Sequence, residues 1–350
     1  ERLVREVMNG NNLALVSTRR MGKTGLIRHC FQFSEIRKNY YTFFIDIYDS
    51  RSLRDLVFAL SKEILEGLKP AGKKALQAFW ESMKSLQASI SFDVNGMPSL
   101  NLGLGDINSP ANTLDEIFQY LERADKPCLV AIDEFQQITG YAEKNVEATL
   151  RTYVQHCNNV RFIFAGSQRH VMGNMFLTAS RPFYQSVSMM HLESIPLEEY
   201  ALFAHSHFER NSKTVETEAI TQIYRQFEGI TWYIQKVLNV LYDMTPAQGI
   251  CGTEMVEEAI RQIVDSFRYT YSEILFRMPE KQKELLIAIT KEGEAKAITS
   301  GAFIKKYKLL SASSVQAALK GLLEKEFITH EAGVYKIYDR FLGIWLIENY

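Results

Sequence analysis

The sequence predicts an α/β protein: a mostly parallel sheet with helices on both faces, then a helical lid and a C-terminal winged helix-turn-helix. Three observations predict it. Apolar, strand-like runs alternate with segments of helical spacing between residues 13 and 192, as in a sheet built from crossovers. Two of those strands run into Gly-Lys-Thr and Asp-Glu, polar groups that a strand end can present to a common site. After Leu192 the spacing is helical, and the last stretch reads helix, helix, helix, hairpin. The expected domains are 1–192, with a hairpin insertion at about 70–110, then a lid over 193–276 and a winged helix over 277–350.

Residues 1–10 read as the end of a helix with Leu3, Val4 and Val7 on one face, closed by a turn at Asn9–Asn12. Leu13 to Val16 is a short buried strand. Ser17 to Gly22 is a turn, and Lys23-Thr24 opens a helix with apolar residues at Leu26, Ile27, Cys30 and Phe31. Strand, turn, Gly-Lys-Thr and helix together make the context of a phosphate-binding loop. Its N–H groups, from Ser17, Thr18, Arg19, Arg20, Met21 and Gly22 through Lys23, Thr24 and Gly25, converge where the helix dipole favours an anion. Lys23 would reach the β- and γ-phosphates of a nucleotide, and the Thr24 hydroxyl would bind Mg²⁺. The pattern G-x-x-x-x-G-K-[ST] wants glycine where this chain has Ser17; serine serves if its φ stays negative.

Tyr40 to Tyr48 is aromatic and β-branched and reads as a buried strand; Ser52 to Leu68 reads as an amphipathic helix capped by Ser50 or Ser52. In the insertion, Ala75 to Leu86 has helical spacing. Ser89–Val94 alternates, Asn95-Gly96 turns, and Leu100–Leu104 alternates again, a hairpin that is either a partner surface or a plain elaboration. Thr113 to Ala124 is a helix with a threonine cap. The strand from Cys128 ends in Asp133-Glu134, a second nucleotide motif: Asp133 would hold Mg²⁺ through water, and Glu134 would orient or deprotonate the attacking water. Asn145 to Cys157 is a helix. Val160 to Ser167 is a strand whose polar tip, Ser167, would stand between that water and the γ-phosphate, and Ser186–Leu192 is a further strand.

Past Leu192 helices alone are expected, starting near Pro196, Glu218, Trp232 and Thr253 for the lid and near Glu280, Ala302 and Ser313 for the winged helix, whose hairpin runs from Thr329 to Tyr338.

Composition is that of an ordinary globular protein, with 46% apolar and 23% charged residues. A net charge of −1 gives no global field toward nucleic acid or membrane. The four cysteines, Cys30, Cys128, Cys157 and Cys251, are scattered without a C-x-x-C pair, which suggests neither a zinc site nor a disulfide framework. A reducing, cytoplasmic compartment is expected. No apolar run approaches a membrane span, and no signal peptide is read, so no membrane partner is expected. The chain opens on Glu1, so a segment before it is expected.

These residues resemble the prokaryotic, archaeal-type ATPases of the STAND branch of the AAA+ class, over nearly the whole chain. The likeness lies in Arg19-Arg20-Met21-Gly22-Lys23-Thr24, in Asp133-Glu134 followed by Phe135, in Gly166-Ser167 with Met172 soon after, loosely in Gly229-Ile-Thr-Trp-Tyr233, and in Tyr338-Asp339 with Trp345. It departs at Ser17-Thr18, where the family usually has Gly-Pro, and at Ser186, where the family often has arginine; Arg181 stands nearby. The resemblance implies a P-loop NTPase fold of the AAA+-like kind, ATP or ADP with Mg²⁺, and slow hydrolysis that makes the protein a nucleotide-controlled switch acting on the winged helix. The alternative is a DNA-binding regulator or protein-docking module in which nucleotide is structural. Arg19 and Arg20 would lean on phosphate or else pair with carboxylates. Arg169, Arg181 and Arg225 are candidates for an arginine that meets transition-state charge.

Residues 280–350 carry eleven Lys and Arg against nine Asp and Glu, a weak basic balance for a reader of double-stranded DNA. Lys305-Lys306-Tyr307-Lys308 precedes the recognition helix, and Ser311, Ser313, Ser314 and Gln316 at its start suit a groove or serve as caps. A protein partner is the other reading of this domain, and an oligomer is compatible with the sequence.

Overall fold

The computed structural model describes residues 1–92, 98–100 and 107–350. The chain divides into two compact units, Glu1–Ser194 and Ile195–Tyr350.

The first unit carries strands β1 (Leu13–Val16), β2 (Tyr41–Asp46), β3 (Ile90–Phe92), β4 (Pro98–Leu100), β5 (Cys128–Asp133), β6 (Val160–Gly166) and β7 (Ser188–His191). Its helices are α1 (Arg2–Met8), α2 (Lys23–Gln32), α3 (Ser34–Asn39), α4 (Leu53–Leu68), α5 (Lys73–Ser82), α6 (Pro110–Arg123), α7 (Val146–His156) and α8 (Arg169–Leu177). Five strands form a parallel sheet in the order β2-β5-β6-β1-β7. In that order β6 lies between the strand that leads into Gly-Lys-Thr and the strand that ends in Asp133.

Burial explains why these strands are runs of apolar residues and do not alternate with polar ones: every residue of β1 and β5 is buried, as expected for a sheet covered on both faces. On one face Leu13, Leu15, Leu129, Ala131 and Ile163 pack against Val7, Ile27, Phe31 and Ile36 of α1 to α3. On the other, Val16, Ile45, Val130, Ile132 and Phe164 pack with side chains of α4 to α8. Alternate residues of one strand supply the two cores.

Several expectations need correction. The helix expected at Thr113 starts at Pro110 after Ser109, and Thr113 lies inside it, buried, with its hydroxyl donated back to the Ser109 carbonyl at 3.1 Å. Proline at the first helical position needs no N–H, so the chain enters the helix a turn earlier than the threonine suggested. Ser52, not Ser50, caps α4, accepting from the Asp55 amide; Ser50 is buried against Tyr141 instead, their oxygens 2.5 Å apart. In the insertion, β3 and β4 pair antiparallel with Ile90 opposite Leu100. The second strand is already formed at Pro98, before the expected start at Leu100; Asn95-Gly96 and residues 101–104 lie outside the described residues.

The second unit holds α9 (Leu197–Glu209), β8 (Thr214–Val215), α10 (Thr217–Gln226), α11 (Thr231–Met244), β9 (Ile250–Cys251), α12 (Glu254–Arg277), α13 (Glu280–Glu292), α14 (Gly301–Lys306), α15 (Ala312–Glu324), β10 (Ile328–Glu331), β11 (Val334–Ile337) and α16 (Arg340–Asn349). It is not helical alone before the hairpin: β8 and β9 pair in parallel over two residues each. The β10–β11 hairpin is extended by a bridge from Ala295 to Tyr335. One apolar core runs through the unit, from Tyr200 in α9 to Trp345 in α16. Within it Phe227 and Tyr233 stack, and Phe341 meets both edge-on, with ring centroids 5.2 to 5.3 Å apart. The Tyr233 hydroxyl donates to the Tyr338 carbonyl at 3.3 Å and accepts the Arg340 amide at 3.1 Å. All four cysteines are buried free thiols. Among the described residues no helix is long and apolar enough to cross a membrane.

Candidate functional site

The parallel sheet brings the tips of β1, β5 and β6 to one edge. From β1 the chain turns through Ser17–Gly22 into α2. Gly22 takes φ 93°, a left-handed position that suits glycine, and α2 begins with no side chain capping its first amides. Nothing stands within 4 Å of the Cβ position of Gly22 or Gly25, so the space over the helix start is open. Ser17 keeps a negative φ, the condition for replacing glycine. It is wholly buried, its amide donating to the Gly166 carbonyl at 3.3 Å and its hydroxyl to the Thr18 carbonyl at 2.9 Å.

Lys23 folds back into the loop. Its ammonium donates to the Ser17 and Thr18 carbonyls, both at 3.4 Å. Burial holds its pKa below the usual lysine range, and the Glu134 and Asp133 carboxylates pull it back up in part. Thr24 donates its hydroxyl to Asp133 Oδ2 at 2.7 Å, joining the loop to the end of β5. Asp133, 5% exposed, has its pKa raised by burial, against which the Thr24 hydrogen bond works.

Glu134 follows with φ 56° and ψ 38°, left-handed for a non-glycine residue. Its Oε2 accepts the Ser167 hydroxyl at 2.6 Å and the Gln136 amide at 2.5 Å. The same amide reaches Ser167 Oγ at 3.3 Å, and Arg19 Nε donates to that oxygen at 3.4 Å. The Arg19 guanidinium also lies over the Tyr48 ring, 5.1 Å from its centroid, just past the end of β2. Lys23, Thr24, Asp133, Glu134, Ser167 and Arg19 therefore meet at one sheet edge. Arg20 takes φ 69° in the loop. Arg181 lies elsewhere, paired with Glu147 of α7, and Arg225 belongs to the second unit.

Two residues of this edge are absent from the sequence reading. Gln136 carries no motif signal, because its role depends on β6 lying beside β5. Tyr48 belongs to an aromatic run in the sequence, and its contact with Arg19 is a tertiary one that no local pattern marks.

The residues fit a metal-bound nucleotide. A hydroxyl and a carboxylate 2.7 Å apart are the oxygen ligands that a hard divalent cation takes, completed by water and phosphate. Among the described residues no cluster of three or more His, Cys, Asp or Glu could cage a metal by itself.

The family model described as a probable winged helix domain matches residues 269–348. A comparison with curated proteins gives no match. Among solved structures, the chain is similar to a Walker-type ATPase of Pyrococcus abyssi, with 17% identity over 99% of this chain and 95% of that one and a TM-score of 0.65. It is similar to the ORC2 protein of Aeropyrum pernix, solved with ADPNP and ADP, with 13% identity, 99% and 90% coverage and a TM-score of 0.58. It is also similar to the ORC1 protein of Aeropyrum pernix in complex with DNA, with 13% identity, 99% and 91% coverage and a TM-score of 0.52. With a central parallel sheet, a Gly-Lys-Thr turn between strand and helix and these likenesses, the chain has an Orc-like P-loop ATPase fold with a C-terminal winged helix domain.

Proposed function

We propose that this protein binds ATP with Mg²⁺ and hydrolyses it slowly, its nucleotide state controlling the unit that carries the winged helix. The contact between Thr24 and Asp133 carries the reading: it joins the hydroxyl after Gly-Lys to the carboxylate at the end of β5, the two groups that a nucleotide-bound Mg²⁺ requires. In this reading the turn and the first amides of α2 hold the phosphates, and Lys23 leaves the Ser17 and Thr18 carbonyls for the β- and γ-phosphates. Thr24 and Asp133 hold the metal, which supplies charge neutralisation at the phosphates. Glu134 orients the attacking water, and Ser167 stands between that water and the γ-phosphate.

Nucleotide titration and phosphate release test it together. Lys23→Ala should lose ATP binding, whereas Glu134→Gln should keep binding and lose hydrolysis. Unchanged phosphate release from Glu134→Gln would remove Glu134 from its role.

For the winged helix, a protein partner is favoured over duplex DNA. One of the similar structures holds DNA, but here Lys306, Lys336 and Arg340, three of the eleven basic residues of 280–350, pair with carboxylates of their own unit. Lys336 pairs with Glu228 and Glu294 at 2.8 and 2.7 Å, Arg340 with Glu228, and Lys306 with Glu292 at 2.6 Å. Glu331 ends β10 beside the hairpin turn, and Ser311 is spent as the cap of α15. Duplex binding that weakens steeply with salt would reverse this choice.

A further inference from the structure

We propose that Gln136 is a positioning residue for hydrolysis, a buried amide that ties the tip of β5 to the tip of β6 and sets the aim of the Glu134 carboxylate. This rests on the ATPase reading above.

Gln136 lies in the short 3-10 turn Phe135–Gly140 that follows Glu134 and is 3% exposed. Its Nε2 contacts two groups at once, Glu134 Oε2 at 2.5 Å and Ser167 Oγ at 3.3 Å. An ionised carboxylate has no proton to give, so the amide edge that faces it must be the nitrogen. That fixes the amide the other way round on its far side. There Oε1 points at Gly166, where an added Cβ would stand 2.6 Å from it. Oε1 is buried and accepts no hydrogen bond from the described residues.

A buried acceptor without a donor costs stability, and an apolar side chain of similar length would avoid that cost. Nor does the local fold need the amide to join the strands, because Ser167 already donates directly to Glu134 at 2.6 Å. What the amide adds is a second donor on the same carboxylate oxygen. With Oε2 held from two directions, the carboxylate cannot swing, which in the ATPase reading would fix how Glu134 meets the attacking water. A base oriented by a third group is a recurrent device in catalytic sites. The left-handed backbone of Glu134 gives the carboxylate an unusual starting direction that such a clamp fixes.

The test is Gln136→Met, which keeps length and removes both donors and the unmatched acceptor. ATP affinity, measured by titration with Mg²⁺, should stay within about twofold, while kcat falls by about tenfold or more, as for a misaimed catalytic group. The melting temperature should equal or exceed that of the wild type. In a Glu134→Gln background the same change should lower residual hydrolysis no further, because Gln136 acts through Glu134. Unchanged kcat, or a kcat loss accompanied by a lower melting temperature, overturns the proposal in favour of a purely structural glutamine. If the wild type binds ATP yet releases no phosphate, the ATPase reading fails separately. The melting comparison then decides: a variant melting below wild type makes the amide structural, and one melting at or above it shows a group kept for something other than the fold.

Discussion

The Thr24 hydroxyl stands 2.7 Å from Asp133 Oδ2, across 109 residues of sequence. This contact can exist only because β1 and β5 run parallel in one sheet and end on the same side of it. It makes each residue the other's partner, and in the proposed function the two would hold the cation together.

Thr24→Ala should therefore show two effects. Asp133 is buried and would lose a hydrogen bond, with a cost of about 1–3 kcal/mol in the nucleotide-free protein. Mg²⁺-dependent tightening of ATP binding should also fall sharply, while Thr24→Ser should restore both. Calorimetric titration with and without Mg²⁺, alongside urea unfolding, reads the two effects separately. A Thr24→Ala protein whose ATP affinity responds to Mg²⁺ as the wild type does would remove Thr24 from the metal site.

Gly166 precedes Ser167 for a reason of space. A Cβ there would meet Met172 Sδ at 2.5 Å and Gln136 Oε1 at 2.6 Å. The methionine is flexible and can yield; the amide is held by Glu134 and Ser167. Gly166→Ala should cost about 1–3 kcal/mol by overpacking and should lower hydrolysis more than ATP binding, because it displaces Gln136. Adding Met172→Ala should recover part of the stability but little of the activity. If the double variant recovers hydrolysis fully, Met172 rather than Gln136 is the neighbour that matters.

How much of this was legible in the chain follows from how local each feature is. The loop and the acid pair could be read because each is contiguous, a strand followed at once by its polar tip. The coverage of the sheet on both faces was legible in the unbroken apolar run of Cys128–Ile132. The Glu134–Gln136–Ser167 cluster was not, since only the strand order β5-β6-β1 brings residue 167 beside residue 134. The β8–β9 pair is two residues long on each side, too short to leave a period. Thr113 misled because a threonine hydroxyl caps a helix from outside and bonds back to a carbonyl from within. Spacing alone does not separate the two.

The buried thiols give a pH prediction. Burial pushes Cys30 up to about 11 and Cys128 and Cys157 up to about 12, above the ordinary thiol range. The folded state therefore holds these protons more tightly than the unfolded chain, and stability falls as pH rises wherever the unfolded chain has released them first. The loss should begin near pH 9 and still be growing at about pH 12, where the buried thiols themselves begin to ionise. Melting temperature against pH should show this decline, and Cys128→Ala should make it shallower. A decline unchanged in Cys128→Ala would show that other groups cause it. At neutral pH the same burial predicts that thiol reagents label the native protein slowly and the urea-unfolded protein fast.

The second unit should melt as one body, although the sequence pattern divides it into a lid and a winged helix. The core from Tyr200 to Trp345 is continuous, and the join rests on Tyr233. Its ring packs between Phe227 and Phe341, and its hydroxyl bridges the Tyr338 carbonyl and the Arg340 amide at the start of α16. A second link runs over the surface, where Glu228 pairs with Lys336 at 2.8 Å and with Arg340. The two links differ in worth. Tyr233 is 1% exposed, so Tyr233→Phe strands an amide and a carbonyl and should cost about 1–3 kcal/mol. Glu228 is half exposed, so Glu228→Gln should cost about 0–1 kcal/mol and matter less as salt rises. Hydrogen exchange at the Arg340 amide should quicken in Tyr233→Phe and stay slow in Glu228→Gln. This join is also what would let a nucleotide-driven shift of the lid carry the winged helix with it. If wild-type calorimetry resolves residues 195–276 and 277–350 as independent transitions, the winged helix is not rigidly carried, and control by nucleotide would need another route to it.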